Sequence, residues 1–120
     1  KKDFRTLFLD IDGTIITNSS IQFPPYVGEG NPIESNIKYL QDIYAKGKTY
    51  IVLTTSRPDH LRDITLEEMS RHSIPYDQLV MGRPHCKRVV VNDFARSNSF
   101  PSCEAINIPR NNENLSEFLG

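Results

Sequence analysis

The stretch that decides the fold is FRTLFLDIDGT, residues 4–14. Its residues 6–9 are apolar or β-branched, which favours a buried strand, and Asp10 and Asp12 follow before Gly13 ends the extended pattern. Ligands bind at the carboxyl ends of the strands in a parallel α/β sheet, so the two carboxylates are expected at a functional site. Alternate residues of an extended backbone face the same side, so both carboxylates can meet one ligand. The structural alternative is a turn carrying two solvated aspartates.

Length, charge and cysteine content restrict the class of protein. The 120 residues fit one domain, residues 1–120, with no room for a substantial second one. The net charge is -1 and the basic residues are scattered, which argues against a nucleic-acid binder. No apolar run approaches the ~20 residues of a membrane span, and no signal-peptide core follows the charged start. We therefore expect a soluble, cytoplasmic protein whose two cysteines are reduced thiols.

Strand and helix patterns alternate along the chain. Strands are predicted at residues 6–9, 49–54, 78–81, 88–91 and 105–108, and helices at residues 33–46, 59–71 and 115–119. This alternation predicts a mainly parallel sheet with right-handed crossovers. Residues 15–32 are rich in Ser, Pro, Gly and Asn, and a loop of that length predicts a flap beside the site.

The two longer helices carry specific end and face signals. In the first, Gly47 is a suitable C-terminal stop after apolar residues at three- and four-residue spacing. In the second, Asp59 is the predicted cap. Its partial apolar face consists of Leu61, Ile64, Leu66 and Met69.

The run Asp10-Ile11-Asp12-Gly13-Thr14 resembles the DxDGT signature of the haloacid dehalogenase (HAD) superfamily, which consists mostly of Mg2+-dependent phosphatases and phosphotransferases. The resemblance implies a three-layer α/β fold of the HAD Rossmann-like type. About five strands are expected, with Asp10 on the central one and no substantial cap domain. It also implies that Asp10 is the nucleophile, that Asp12 is the general acid and then the base, and that Gly13 permits the tight turn after them.

The second strand ends in LTTSRP, which resembles the family's second motif in its TxR form. This likeness gives Thr55 the role of phosphate hydrogen-bond partner, with Thr54 before it and Ser56 as a rival. Arg57 would then help to hold an anionic substrate. The structural alternative for the two threonines is that β-branched residues simply close a strand.

The third and fourth motifs depart from the family pattern. Arg83 stands where small relatives often have lysine, and Lys87 is the other candidate for that role. Asp93 with Asn92 occupies the place of an acidic pair that helps to bind Mg2+. The implied ligands are the Asp10 carboxylate, the Asp12 backbone carbonyl, Asp93 and Asn92.

These motifs together imply a Mg2+-dependent phosphomonoester hydrolase acting on a small phosphorylated substrate, with a sugar phosphate as the first expectation. A phosphoprotein or a nucleotide is a further candidate substrate. A phosphotransferase and a non-catalytic or regulatory HAD-like module are the alternatives, and the changes at Arg83 and Asn92 favour the latter. The lack of a cap raises the expectation of a homo-oligomer.

Overall fold

The structure is a computed structural model that describes residues 4–97 and 102–120. Within these ranges the regular elements are β1 (Arg5–Asp10), α1 (Glu34–Ala45), β2 (Thr49–Thr54), α2 (Arg62–Arg71), β3 (Gln78–Val80) and α3 (Leu115–Leu119). Each lies close to a segment in which the apolar pattern predicts it. The part of the predicted irregular segment at residues 98–101 lies outside the described residues.

The three strands form one parallel sheet in the order β1-β2-β3. In the register of β1 with β2, Leu9 is opposite Leu53 and Asp10 is opposite Thr54. The two strands therefore end together, and the residues after them share one edge of the sheet. The prediction of a mainly parallel sheet is confirmed. The prediction that Asp10 lies on the central strand is wrong, because β2 pairs on both sides and β1 pairs, among the described residues, with β2 alone.

The hydrophobic core lies on one face of this sheet. Alternate residues of a strand point to the same face, and the buried residues Leu9, Ile51 and Leu53 share it. Helix residues join the same cluster, including Leu40 of α1 and Met69 of α2. On the opposite face Phe8 and Tyr50 are exposed, whereas Val52 is buried. In the described residues α1, α2 and α3 all contribute to the core cluster, and the three-layer arrangement stays a prediction.

Two of the predicted strands are not formed. Residues 88–91 and 105–108 have no strand structure, and the valines of the first segment, Val89, Val90 and Val91, are exposed. A β-branched run becomes a strand only when a neighbouring backbone pairs with it, because strand propensity reflects packing on a pleated surface. The expectation of about five strands is therefore corrected to three in the described parts of the chain.

The second helix differs from its predicted start and face. Asp59 makes no side-chain capping bond and instead begins a 3-10 turn, Asp59–Leu61, because the chain enters the helix through Pro58 in an extended conformation. The buried residues of α2 are Thr65, Glu68 and Met69, whereas Ile64 is exposed. A polar pair thus occupies much of the inward face. The reason for this becomes apparent at the site.

The loop of residues 15–32 forms a projection with a closed base. Thr17 donates its backbone N–H to the carbonyl of Asn31, and Gly30 lies so close to Ile16 that a Cβ there would stand 2.7 Å from its Cγ2. Ile16 is fully buried at this base, whereas Phe23 near the tip is 69% exposed. In the described residues, no helix is long and apolar enough to cross a membrane.

Candidate active site

The candidate site lies at the carboxyl edge of the sheet, where β1 and β2 end. Asp10 is the last residue of β1, and Asp12 follows after the fully buried Ile11. Gly13 has a φ of +90°, a conformation that favours glycine, and this tight turn lets the chain leave the sheet directly after the carboxylates. The carbonyl of Gly13 accepts a 2.7 Å hydrogen bond from the backbone N–H of Asn111, and this bond stabilises the turn.

The same turn is fastened by a buried asparagine of α1. The amide group of Asn36 donates to the carbonyls of Thr14 and Asn112, and its oxygen accepts from the N–H of Leu115. Asn36 is 1% exposed, so these bonds replace all contact of its amide with water. The carboxylate-bearing turn is therefore supported by α1 and by the start of α3.

Arg57 holds the carboxylate of Asp12 in a bidentate ion pair. Its Nε donates to Oδ2 at 2.9 Å and its Nη2 donates to Oδ1 at 2.8 Å. The remaining nitrogen, Nη1, donates to Thr65 Oγ1 at 3.0 Å and lies 2.8 Å from Glu68 Oε1. A fork-to-fork arrangement of this kind fixes orientation as well as distance. The two inward-facing polar residues of α2 thus serve to hold Arg57.

Burial and neighbouring charge act in opposite directions on the pKa of Arg57. Burial lowers the pKa of Arg57, but the hydrogen bond and the charge of Asp12, together with the charge of Glu68, more than offset that effect and leave the pKa raised. Arg57 is 3% exposed and every one of its guanidinium nitrogens faces a protein partner. The side chain predicted to hold substrate is therefore directed at Asp12.

The projecting loop reaches the same carboxylate. Ser19 donates its hydroxyl to Asp12 Oδ1 at 2.8 Å. The Asp12 carboxylate therefore accepts hydrogen bonds both from the loop that follows β2 and from the projecting loop. Its side chain remains 19% exposed. A loop that touches a site carboxylate in this way has the placement expected of a flap.

Asp10 has a more open environment. Its side chain is 43% exposed, and Arg88 Nη2 lies 4.0 Å from its Oδ1. Desolvation is the largest influence on this carboxyl and raises its pKa, the nearby Arg88 lowers it, and the charge of Asp12 raises it, with a raised pKa as the net result. A cation close to Asp10 would favour the ionised form.

Thr54, the last residue of β2, and Thr55, directly after it, lie at the same edge of the sheet as Asp10. Thr54 is opposite Asp10 in the register, and Thr55 is 2% exposed with its backbone N–H bonded to the Val80 carbonyl. The Thr55 hydroxyl accepts from the N–H of Arg57, which leaves its own proton free to be donated. Ser56, the rival for the same role, is half-buried and does not line the neighbouring cavity.

A cavity of about 310 Å³ opens next to these threonines. Its lining residues are Thr54, Thr55, Val80, Arg83, Pro84, Cys86, Arg88 and Val89. Two arginines and two threonines therefore line a space large enough for a small ligand. A second cavity of about 370 Å³ lies at the opposite, amino edge of the sheet beside Arg5 and Thr49, remote from both carboxylates.

Of the two candidates for the lysine role, Arg83 lines the cavity and the exposed Lys87 does not. Arg88, which no sequence motif singled out, lines the cavity and is also the cation beside Asp10. Its only sequence signal was its position as the basic residue directly before an apolar run. As the first residue of the predicted strand at residues 88–91, Arg88 is expected in the sheet instead of at the site.

The proposed metal ligands are brought together only in part. Asp10 and Asp12 meet, whereas Asp93 and Asn92 are exposed and Asn92 donates to Ser102 Oγ at 2.7 Å. In the described residues no three Asp, Glu, His or Cys side chains form a group that would hold a metal ion. The oxygens of Asp10 are hard donors of the kind that Mg2+ uses, and Mg2+ often binds through one or two carboxylates while retaining water. The Asp10 end of the site therefore fits Mg2+ by the chemistry of its donors.

The described chain was compared with known proteins. No family model and no curated protein matches it. A crystal structure of an MCSG target from Vibrio cholerae is 21% identical, with a TM-score of 0.60 over 96% of this chain and 87% of that chain. A chain in a structure of a Pnkp1/Rnl/Hen1 complex is 17% identical, with a TM-score of 0.53 over 74% of this chain and 32% of that one. These likenesses concern the fold and agree with a Rossmann-like α/β arrangement.

Proposed function

We propose that this chain is a HAD-like phosphatase that hydrolyses phosphomonoesters with Mg2+ through an aspartyl-phosphate on Asp10. The observation that carries the proposal is the pair of carboxylates at the end of β1. One of them, Asp12, is fixed by Arg57, and the other, Asp10, is left open beside a cavity lined by arginines and threonines. An open carboxylate next to positive charge suits nucleophilic attack on phosphorus.

The roles of the remaining residues follow from their positions. Asp12, which is paired as a carboxylate with Arg57 in this structure, first takes up a proton from solvent. It gives that proton to the leaving oxygen and regains one from the attacking water. Thr55 donates its hydroxyl to a phosphoryl oxygen, with Thr54 beside it. Arg83 and Arg88 supply positive charge to the phosphoryl group from the cavity wall, as guanidinium groups do in phosphate sites.

Mg2+, when bound, supplies further positive charge that favours attack by one anion on another. The carboxylate of Asp10 and the backbone carbonyl of Asp12 would hold it, and Asp93 and Asn92 remain proposed contributors. Because the carboxylate of Asp12 already receives three hydrogen bonds, its backbone oxygen is the more suitable ligand.

Turnover of 4-nitrophenyl phosphate tests the proposal. We expect hydrolysis with Mg2+, loss of hydrolysis when the metal is chelated, and a loss of about 10³-fold or more in Asp10→Asn, because no nucleophile then remains. The exposed Asp42→Asn, which removes only the surface ion pair with Lys38, is the matched control. A folded chain that turns over no phosphomonoester with any divalent metal would instead favour a non-catalytic HAD-like module.

The substrate class is proposed more narrowly as a sugar phosphate. A panel of sugar phosphates, nucleotides and phosphopeptides, compared by kcat/KM, tests this choice. Transfer of the phosphoryl group to an added alcohol in place of water would identify a phosphotransferase.

A further inference from the structure

Glu68 of α2 is a buried carboxylate that the proposed reaction does not use. It is 0% exposed, and its Oε1 lies 2.8 Å from Arg57 Nη1 without the alignment of a hydrogen bond. Its Oε2 has no hydrogen-bond partner in the described parts of the chain. An ionised group in such a place is strongly disfavoured unless it is paired, so its pairing with Arg57 calls for an explanation.

While Asp12 is ionised, neutralising Arg57 does not require Glu68. Asp12 already gives the guanidinium a full negative charge and two hydrogen bonds. Glu68 places a second carboxylate beside Nη1 of Arg57, so the cluster holds one more negative charge than it needs to neutralise the guanidinium. What Glu68 and Thr65 do add is a fixed attachment for Nη1 on a rigid helix, opposite the edge that grips Asp12. The guanidinium plane is thus held from both sides.

The same helix also holds the projecting loop that carries Ser19. Arg71 of α2 donates to the carbonyl of Gly28 at 2.9 Å, and Gly28 lies so close to Ile64 that a Cβ there would be 2.7 Å from its Cδ1. The two groups that contact the Asp12 carboxylate, Arg57 and Ser19, are therefore both placed with reference to α2.

We propose that Glu68, together with Thr65, is a positioning residue that acts through Arg57 to hold the Asp12 carboxylate in line with the leaving oxygen of the substrate. This inference rests on the proposed phosphatase function. A misplacement of about 1 Å at a reacting group can slow a reaction by 10²-fold, so the orientation of Asp12 is worth fixing with buried charges.

The test compares two substrates of similar shape, phenyl phosphate and 4-nitrophenyl phosphate. Phenolate is the poorer leaving group and depends more on protonation by Asp12, whereas nitrophenolate depends on it less. The value of kcat/KM reports the step up to the transfer of phosphate, so the ratio of the two values measures how well Asp12 serves the leaving oxygen. Because both values come from one sample, the ratio does not depend on the folded fraction.

We expect Glu68→Gln to lower kcat/KM for phenyl phosphate about tenfold more than for 4-nitrophenyl phosphate. The matched control is Asp63→Asn, since Asp63 is an exposed carboxylate of the same helix, and the control is expected to leave the ratio unchanged. Thr65→Val provides a second variant that removes the hydroxyl partner of Nη1 without altering charge, and the same direction of change is expected.

An unchanged ratio in Glu68→Gln and Thr65→Val, in a series where the unaltered chain turns over both substrates, would overturn the positioning role alone. An equal shift in Asp63→Asn would also overturn it, because the effect would then belong to the helix surface. No turnover of either substrate by the unaltered chain with Mg2+ would remove the proposed function and this role with it.

Discussion

Two regions of the molecule have similar apolar sequences and very different structures. In residues 4–81 the strands are paired and their core-facing residues are buried, as Ile51 and Leu53 are at 0% exposure. In the described residues from 82 to 107 almost every side chain is exposed, including Val91 at 87%. The sequence TYIVLT and the sequence RVVV look alike as strands. What separates them is a paired backbone neighbour and a helix to cover the face.

The site divides along the same line. Asp10, Asp12, Thr55 and Arg57 belong to the first region and are held by named hydrogen bonds and strand pairing. Arg83 and Arg88 belong to the second region and approach the cavity from an exposed segment. The positioned carboxylates are thus built into the fold, whereas the cations that face them are carried by a less packed stretch of chain.

The largest expected effect follows from breaking the buried ion pair that holds Asp12 within the first region. Arg57→Met leaves the carboxylates of Asp12 and Glu68 without their common partner, and loss of one member of a buried pair typically destabilises by about 3 to 5 kcal/mol. Urea denaturation measures this. The matched variant Arg83→Met, in the exposed segment, is expected to change the free energy of unfolding by no more than about 0.5 kcal/mol. Equal losses in the two variants would break the comparison.

A core truncation tests the packing difference directly. Leu53→Ala removes a fully buried side chain from the sheet and should lower the free energy of unfolding by about 2 to 5 kcal/mol. Val91→Ala removes an exposed side chain and should lie within about 0.5 kcal/mol of the unaltered chain. A loss above about 1 kcal/mol in Val91→Ala would show that this segment is packed in solution, and would remove the distinction between the two regions.

The smallest effect concerns the pH dependence of stability at Asp10. Its pKa is raised in the folded chain, mainly by desolvation, so its contribution to stability is complete below the ordinary value of 3.8 and is lost as the pH rises through the raised value. In the presence of a chelator, Asp10→Asn should therefore be more stable than the unaltered chain at pH 7. The gain should shrink toward zero below pH 3.8.

Urea denaturation at several pH values checks this prediction, and Mg2+ provides the control. The metal is expected to stabilise the unaltered chain at pH 7 and to have little effect on Asp10→Asn, because binding to the folded state alone raises stability. A gain in Asp10→Asn that persisted below pH 3.8 would mean that some other property of the amide stabilises the chain.

Much of the first region could be predicted from the sequence. The apolar runs and the helical patterns located β1, α1, β2, α2, β3 and α3, and the carboxylate pair predicted a site at the end of β1. The two missing strands could not be distinguished from the real ones, because periodicity describes one segment and strand formation requires two. The central place of Asp10 was implied by the HAD resemblance, and it is wrong because β1 pairs, among the described residues, with β2 alone.

The polar contacts of Arg57 could not be predicted from the sequence pattern either. An apolar face was expected on α2, yet Thr65 and Glu68 face inward because a buried guanidinium from another element needs partners there. Such a requirement is visible only once the fold brings residues 57 and 68 together. The pairing of Arg57 with Asp12, 45 positions apart in the chain, has the same origin.

The measurement that tests the central claim most directly is chemical trapping of the covalent intermediate. The chain is mixed with Mg2+ and 4-nitrophenyl phosphate, treated with borohydride, and digested for peptide mass spectrometry, so that an aspartyl-phosphate is reduced to homoserine. We predict homoserine at position 10 and unmodified aspartate at position 12. Homoserine at position 12, or turnover with no trapped residue at either position, would contradict the assignment of Asp10 as the nucleophile.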